Sequence, residues 1–183
     1  YGVVPELSKL LSDDDSPTAS SSAAAALHNL AQTPDVRKRM VQELDFKAMV
    51  EASRPNPSKE VTAREPAVLA NKRADAANCL HLCMDPERNA DHKWVRERVI
   101  AADGLSAFMA LLRDGRSVAG MEAAAWCLAH VAHEEDQKDG MLASSELMQN
   151  LVKALKSKEI SSLKLKGGAA AVRIMPAGTK PPP

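Results

Sequence analysis

At 183 residues, 45% hydrophobic and 26% charged, the chain has material for one sizeable core or one short solenoid. Aromatic residues make up only 3%. That argues against a β-sandwich or barrel and against the stacking platforms that hold single-stranded nucleic acid. Its 24 basic and 24 acidic side chains cancel, so no overall field recruits nucleic acid or anionic lipid.

The first predicted helix places Val3, Val4, Leu7, Leu10 and Leu11 on one stripe, and Asp13-Asp14-Asp15 ends it in water. Ser16-Pro17 starts the second, with Ser as N-cap and Pro in the first turn, where a missing N–H does no harm. That helix runs to about Ala31. Thr33-Pro34-Asp35 repeats the signal and opens a helix carrying Val36, Met40, Val41 and Leu44. Asp45 caps a short helix with Phe46, Met49 and Val50, and a polar loop with Pro55 and Pro57 follows. Thr62-Ala63-Arg64-Glu65 reads as a capping box for a helix ending near Met84. Asp85-Pro86 caps the next segment, which carries Trp94, Val95, Val99 and Ile100 and turns at Asp103-Gly104. Leu105, Phe108, Met109, Leu111 and Leu112 lie on a helix closed by Asp114-Gly115, and residues 117–132 form another long helix. Further helices are expected over 134–143, 145–156 and 161–175, then an extended Pro-rich tail over 176–183.

One phrase recurs through this series. Ala23-Ala24-Ala25-Ala26-Leu27 returns as Ala76-Ala77-Asn78-Cys79-Leu80, as Ala124-Ala125-Trp126-Cys127-Leu128, and more weakly as Gly168-Ala169-Ala170-Ala171-Val172. The anchors Leu27, Leu80, Leu128 and Val172 are 53, 48 and 44 residues apart, the signature of stacked helical units. The expected units are 1–32, 33–84, 85–132 and 133–175, each a short, a medium and a long Ala-rich helix.

The first unit, from Gly2-Val3-Val4-Pro5-Glu6-Leu7 through Leu10-Leu11 to Ala26-Leu27-His28-Asn29-Leu30-Ala31, resembles the armadillo repeat consensus. So does the third, from Val99-Ile100-Ala101-Ala102-Asp103-Gly104-Leu105 to Trp126-Cys127-Leu128-Ala129-His130. The resemblance covers about residues 2–175 and implies an all-α fold, a right-handed α-α superhelix of three-helix repeats. It further implies a concave groove, lined by the third helices, that holds an extended peptide or a partner's helix. On that implication the groove residues are Asn29, Asn78, Glu122, Trp126 and His130. Asn29 takes the family's groove Asn position; Trp126 and His130 take the Trp and Asn positions of importin-alpha-like members. Ala25 stands where Asn29 would need its Trp, and Leu82 stands in the Asn slot four residues after Asn78. A nuclear-import-type adaptor is therefore the lesser reading. Trp126 as an ordinary packing residue between repeats is the alternative to Trp126 as a ligand wall.

Catalytic chemistry is not expected. Cys79, His81 and Cys83 are close in sequence, but on a helix His81 points away from both cysteines, so they cannot share a zinc ion. His28 and His81 occupy the same repeat position, which reads as a structural echo. His133-Glu134-Glu135 lacks a second His, and Gly167-Gly168 has no Lys-Ser/Thr after it. The sequence thus predicts no enzyme, cofactor, metal or small-molecule substrate, but one or more protein partners, within a larger complex. A structural spacer using the convex face and ends is the alternative. Contact with nucleic acid or a membrane surface through Lys153, Lys156, Lys158, Lys164 and Lys166 is a third, marked by steep salt dependence. Residues 1–35 carry net −4 and residues 147–183 net +6, a gradient able to orient a charged partner.

No apolar run approaches the roughly 18 residues that span a bilayer. Three cysteines do not make a disulfide framework, so a cytoplasmic or other reducing intracellular setting is expected, a cytoskeletal or organellar assembly among them. An opening at Tyr1, with no first helix in the first unit, is expected of a fragment of a longer array or a processed form.

Overall fold

The computed structural model describes residues 2–12, 16–56 and 66–134, and then residues 137–139, 141, 144, 145, 147 and 149. In chain order the helices are α1 (Val3–Leu10), α2 (Pro17–Gln32), α3 (Pro34–Met40), α4 (Phe46–Ser53), α5 (Pro66–Met84), α6 (His92–Ala101), α7 (Gly104–Asp114) and α8 (Val118–Val131). The described residues contain no strand. None of the described helices is long and apolar enough to cross a membrane. The expected Asp13-Asp14-Asp15 turn, the capping box at 62–65, the helix at 161–175, the lysine-rich end and the tail lie outside the described residues.

Three helix starts follow from side-chain caps. Ser16 Oγ accepts the N–H of Ala19 at 3.4 Å, Asp45 Oδ1 that of Ala48 at 3.0 Å, and Ser117 Oγ that of Gly120 at 3.1 Å. Each bond satisfies one of the N–H groups that the first turn leaves without an intrahelical partner. The Asp103-Gly104 corner is built differently. Asp103 is left-handed (φ 61°), and a Cβ on Gly104 would lie 2.5 Å from Val99 Cγ1 and 2.7 Å from the Val99 carbonyl oxygen. Only a hydrogen in place of Cβ lets α7 leave α6 at this angle.

α6 begins later than the Asp85-Pro86 signal predicts, because side chains hold residues 85–91 in turns. Asp85 Oδ1 accepts from the N–H of Glu87 at 2.9 Å, and Asn89 Oδ1 from that of Asp91 at 3.1 Å. Asn89 Nδ2 meanwhile donates to the Cys83 carbonyl at 2.6 Å, closing the end of α5. The expected stripe on α1 is only half covered: Val4 and Leu11 are buried, while Val3 is 59% and Leu10 39% exposed.

The three long helices lie side by side, with α5 packed between α2 and α8. Their small residues explain this. Ala23, Ala24, Ala76, Ala77, Ala123, Ala124 and Ala125 are all buried, and short side chains let helix axes approach closely. Leu27, Leu80 and Leu128 fill the seams between them. Equivalent thiols repeat one contact along the stack: Cys79 Sγ lies 3.6 Å from the Leu27 carbonyl oxygen, and Cys127 Sγ 3.2 Å from that of Ala77. The medium helices form a second row, α4 packing on α5 and α7, and α7 on α8. Core and stack are continuous from Val4 to Leu147.

Candidate functional site

Residues four apart on a helix share a face, so Glu122, Trp126 and His130 form one column on α8. His81 reaches into that column from the last turn of α5. Its ring stacks on Trp126 with centroids 5.1 Å apart and planes 13° apart, and meets His130 at 5.2 Å and 15°. Trp126 and His130 are 6.2 Å and 18° apart, so three rings from two helices lie with nearly parallel planes. Trp126 and His81 are half-buried, whereas His130 is 2% exposed and backs them.

His81 Nδ1 and His130 Nε2 are 3.0 Å apart. Since the ring centroids are only 5.2 Å apart, the two nitrogens face each other nearly along the line joining the rings. That is the geometry of one N–H donating to one lone pair, with the tautomers setting which ring donates. The repeat-equivalent His28 on α2 makes the same kind of bridge, its Nδ1 lying 3.0 Å from Asp75 Oδ1 on α5. Gln32 Nε2 lies 3.1 Å from the other ring nitrogen of His28. The echo of His28 in His81 is thus a pair of ties between successive long helices.

Of the five expected groove residues, the structure gathers Glu122, Trp126 and His130. Asn78 sits half-buried on α5, three residues before His81, and Asn29 is exposed on α2 beside His28. His81 was missed because its company comes from residues 45 and 49 positions away, which no local spacing reveals. Its match to His28 was the one available signal.

The three cysteines are free and buried, and Cys79 and Cys127 turn toward carbonyls of neighbouring helices. A hydrogen bond with Cys83 and burial push the Cys79 thiol well up; burial pushes up that of Cys127. The metal-ligand reading changes, however. One ligand atom each from His81, Asp85 and His130 lie within 4.8 Å of one another, a cluster that sequence spacing did not predict.

Two buried cations tie neighbouring helices of the stack. Arg73 on α5 lies 3.7 Å from Asp114 at the end of α7. Burial raises the Asp114 carboxyl above its usual range although Arg73 opposes this, and burial lowers Arg73 although Asp114 opposes it. Arg37, on α3, is 2% exposed. Its guanidinium donates to the Ala31 and Gln32 carbonyls at the end of α2, and to the Arg88 carbonyl at 2.6 and 3.1 Å.

No family model and no curated protein matches the chain. Solved structures do. An engineered protein superposes with TM-score 0.70 at 19% identity, over 94% of this chain and 64% of its own. A second engineered protein gives 0.68 at 20% identity, over 93% and 62%. A designed armadillo repeat protein in complex with the peptide (KR)4 gives 0.65 at 16% identity, over 93% and 64%. The fold is an armadillo-type solenoid. This chain spans less than two thirds of the length of these three proteins.

Proposed function

We propose that this solenoid is a non-enzymatic interaction module holding a partner protein, as an extended peptide or a helix, along the face of its long helices. The half-buried, stacked rings of Trp126 and His81, backed by His130, carry the reading. A rigid, half-exposed aromatic surface can take an apolar stem or a cationic head with little loss of side-chain freedom. Asn78 and Asn29 would supply amides for a partner's backbone, Glu122 a charge beside the wall, and buried His130 the support behind it. The designed armadillo protein with its bound (KR)4 is a precedent for peptide capture by such a fold. No nucleic acid, small-molecule substrate or cofactor is part of this proposal. Three buried thiols suit a reducing intracellular compartment, in the cytoplasm or in a cytoskeletal or organellar assembly.

Comparative pull-down from the native source with the wild-type chain and Trp126→Ala tests the proposal. A partner recovered about tenfold less by the variant, with helicity unchanged, is the expected result. Equal recovery of every protein would refute it, and gross loss of helicity would place Trp126 in the core. The exposed Val3 and Leu10 on α1 favour a second reading, a spacer docked through its ends within a larger assembly. Cross-links confined to α1, with none on Trp126 or Asn78, would select it.

A further inference from the structure

We propose that His81, Asp85 and His130 form a binding site for a divalent transition metal of the zinc class, joining α5 to α8. The inference needs no partner: His81 and His130 also lie against Trp126, but metal binding is read directly, so its failure would leave the docking role of Trp126 untouched. Two imidazoles and a carboxylate already present ligand atoms within 4.8 Å of one another. In a tetrahedral zinc site, bonds of about 2.0–2.2 Å place neighbouring ligand atoms roughly 3.3–3.5 Å apart. The 3.0 Å between His81 Nδ1 and His130 Nε2 must therefore widen by only a few tenths of an ångström.

The rings must also turn, because their nitrogens now face each other instead of a common point. Each ring tips toward Asp85, and the proton held between the two nitrogens moves to the far nitrogen of its own ring. Both lone pairs then point at the metal. No proton need leave a neutral pair, and no oxidant or reductant is involved. Asp85 stands four residues after His81, and its Oδ2 is 3.1 Å from Arg88 Nε. Arg88 is half-exposed and can swing into solvent when the metal takes that oxygen. Water completes the coordination in the isolated chain, the three-ligand pattern that leaves one position open.

The backbone favours a cation at this place. His81 lies in the last turn of α5 and Asp85 directly follows that helix, while His130 lies in the last turn of α8. Two helix carboxyl ends, each with partial negative charge, therefore meet at the site. Imidazole ligands select zinc, nickel or copper over magnesium and calcium, which require oxygen. A bound metal would bridge residues 81 and 130 and stiffen the contact between successive long helices.

The test titrates the full chain, stripped with chelator, with Zn2+ alone against a chromophoric competitor. One equivalent should bind, and thermal unfolding should shift upward as zinc rises, because the metal binds only the folded chain. His81→Gln and His130→Gln should each lower affinity about tenfold or more, and Asp85→Asn less. His28→Gln, His92→Gln and His133→Gln should bind as wild type does. Since His130 is buried and its variant could unfold, Co2+ absorption of the wild-type chain gives a second reading: an intense visible band from a tetrahedral site with nitrogen ligands. No saturable binding at micromolar zinc overturns the proposal. So does equal competition by Ca2+ or Mg2+, or loss of binding that follows His28, His92 or His133 instead.

Discussion

Arg37→Met should be among the most damaging single changes in this chain. The last carbonyls of α2 have no partner within that helix. Leu30 O accepts from the N–H of Thr33, but Ala31 O and Gln32 O are reached by the Arg37 guanidinium. The same group spans to Arg88 O in the turn after α5, so one cation ties the end of α2 to the turn that follows α5. Methionine keeps much of the stem packing and removes every donor. Leaving a buried acceptor without a partner costs about 1–3 kcal/mol. With three carbonyls affected and some relaxation or water entry, a loss of about 3–5 kcal/mol is expected, much of the ~5–15 kcal/mol that stabilises a typical domain. The accompanying fall in Tm should be roughly 10 °C. Urea unfolding followed by far-UV circular dichroism measures it. Arg37→Lys, which keeps the charge without the planar fork, should lose about half as much. Because the acceptors are neutral carbonyls, the loss should persist in high salt, unlike that of a surface ion pair. A loss below about 1 kcal/mol, or an Arg37→Lys variant indistinguishable from wild type, would refute the reasoning.

Three further outcomes follow from the same structure. Gly104→Ala should destabilise by about 1–3 kcal/mol in the same urea assay, because the new Cβ meets the Val99 carbonyl, which cannot move without unpacking α6. Burial raises the folded-state pKa of Asp114, so its contribution is most favourable below the ordinary carboxylate pKa of about 3.9 and is lost as pH rises through the raised value. The stability of wild type relative to Asp114→Asn should therefore decline across that window; an increase with pH would mean that Arg73 and Arg116, whose Nε donates to Asp114 Oδ1 at 2.7 Å, outweigh burial. All three thiols should resist a disulfide reagent in the native chain and react on unfolding, since burial and raised pKa values deny Cys79 and Cys127 the thiolate. Rapid native labelling at Cys79 would contradict its packing against the Leu27 carbonyl.

Helix existence was legible wherever a local signal sufficed. Ser16-Pro17 and Asp45 cap the helices that they announce, whereas Thr33 opens α3 without a side-chain cap bond. The Asp85-Pro86 signal misled because Asn89, four residues on, spends its amide on the Cys83 carbonyl and holds the chain in turns. At the candidate site, the Glu122, Trp126 and His130 column could be read from helical spacing on a single element. The place of His81 in it could not.

The sequence by itself determined that the chain is helical, that its long helices are rich in alanine, and that they recur closely enough to stack. Periodicity, caps and small side chains act within one helix or between sequence neighbours, and they can be read along the chain. Only the tertiary structure decided that Arg37, one of three consecutive cations, is buried against carbonyls, and that His81, Asp85 and His130 converge. Such meetings depend on how far one helix slides and turns against the next. The sum of many weak contacts sets that offset, and no single residue writes it into the sequence.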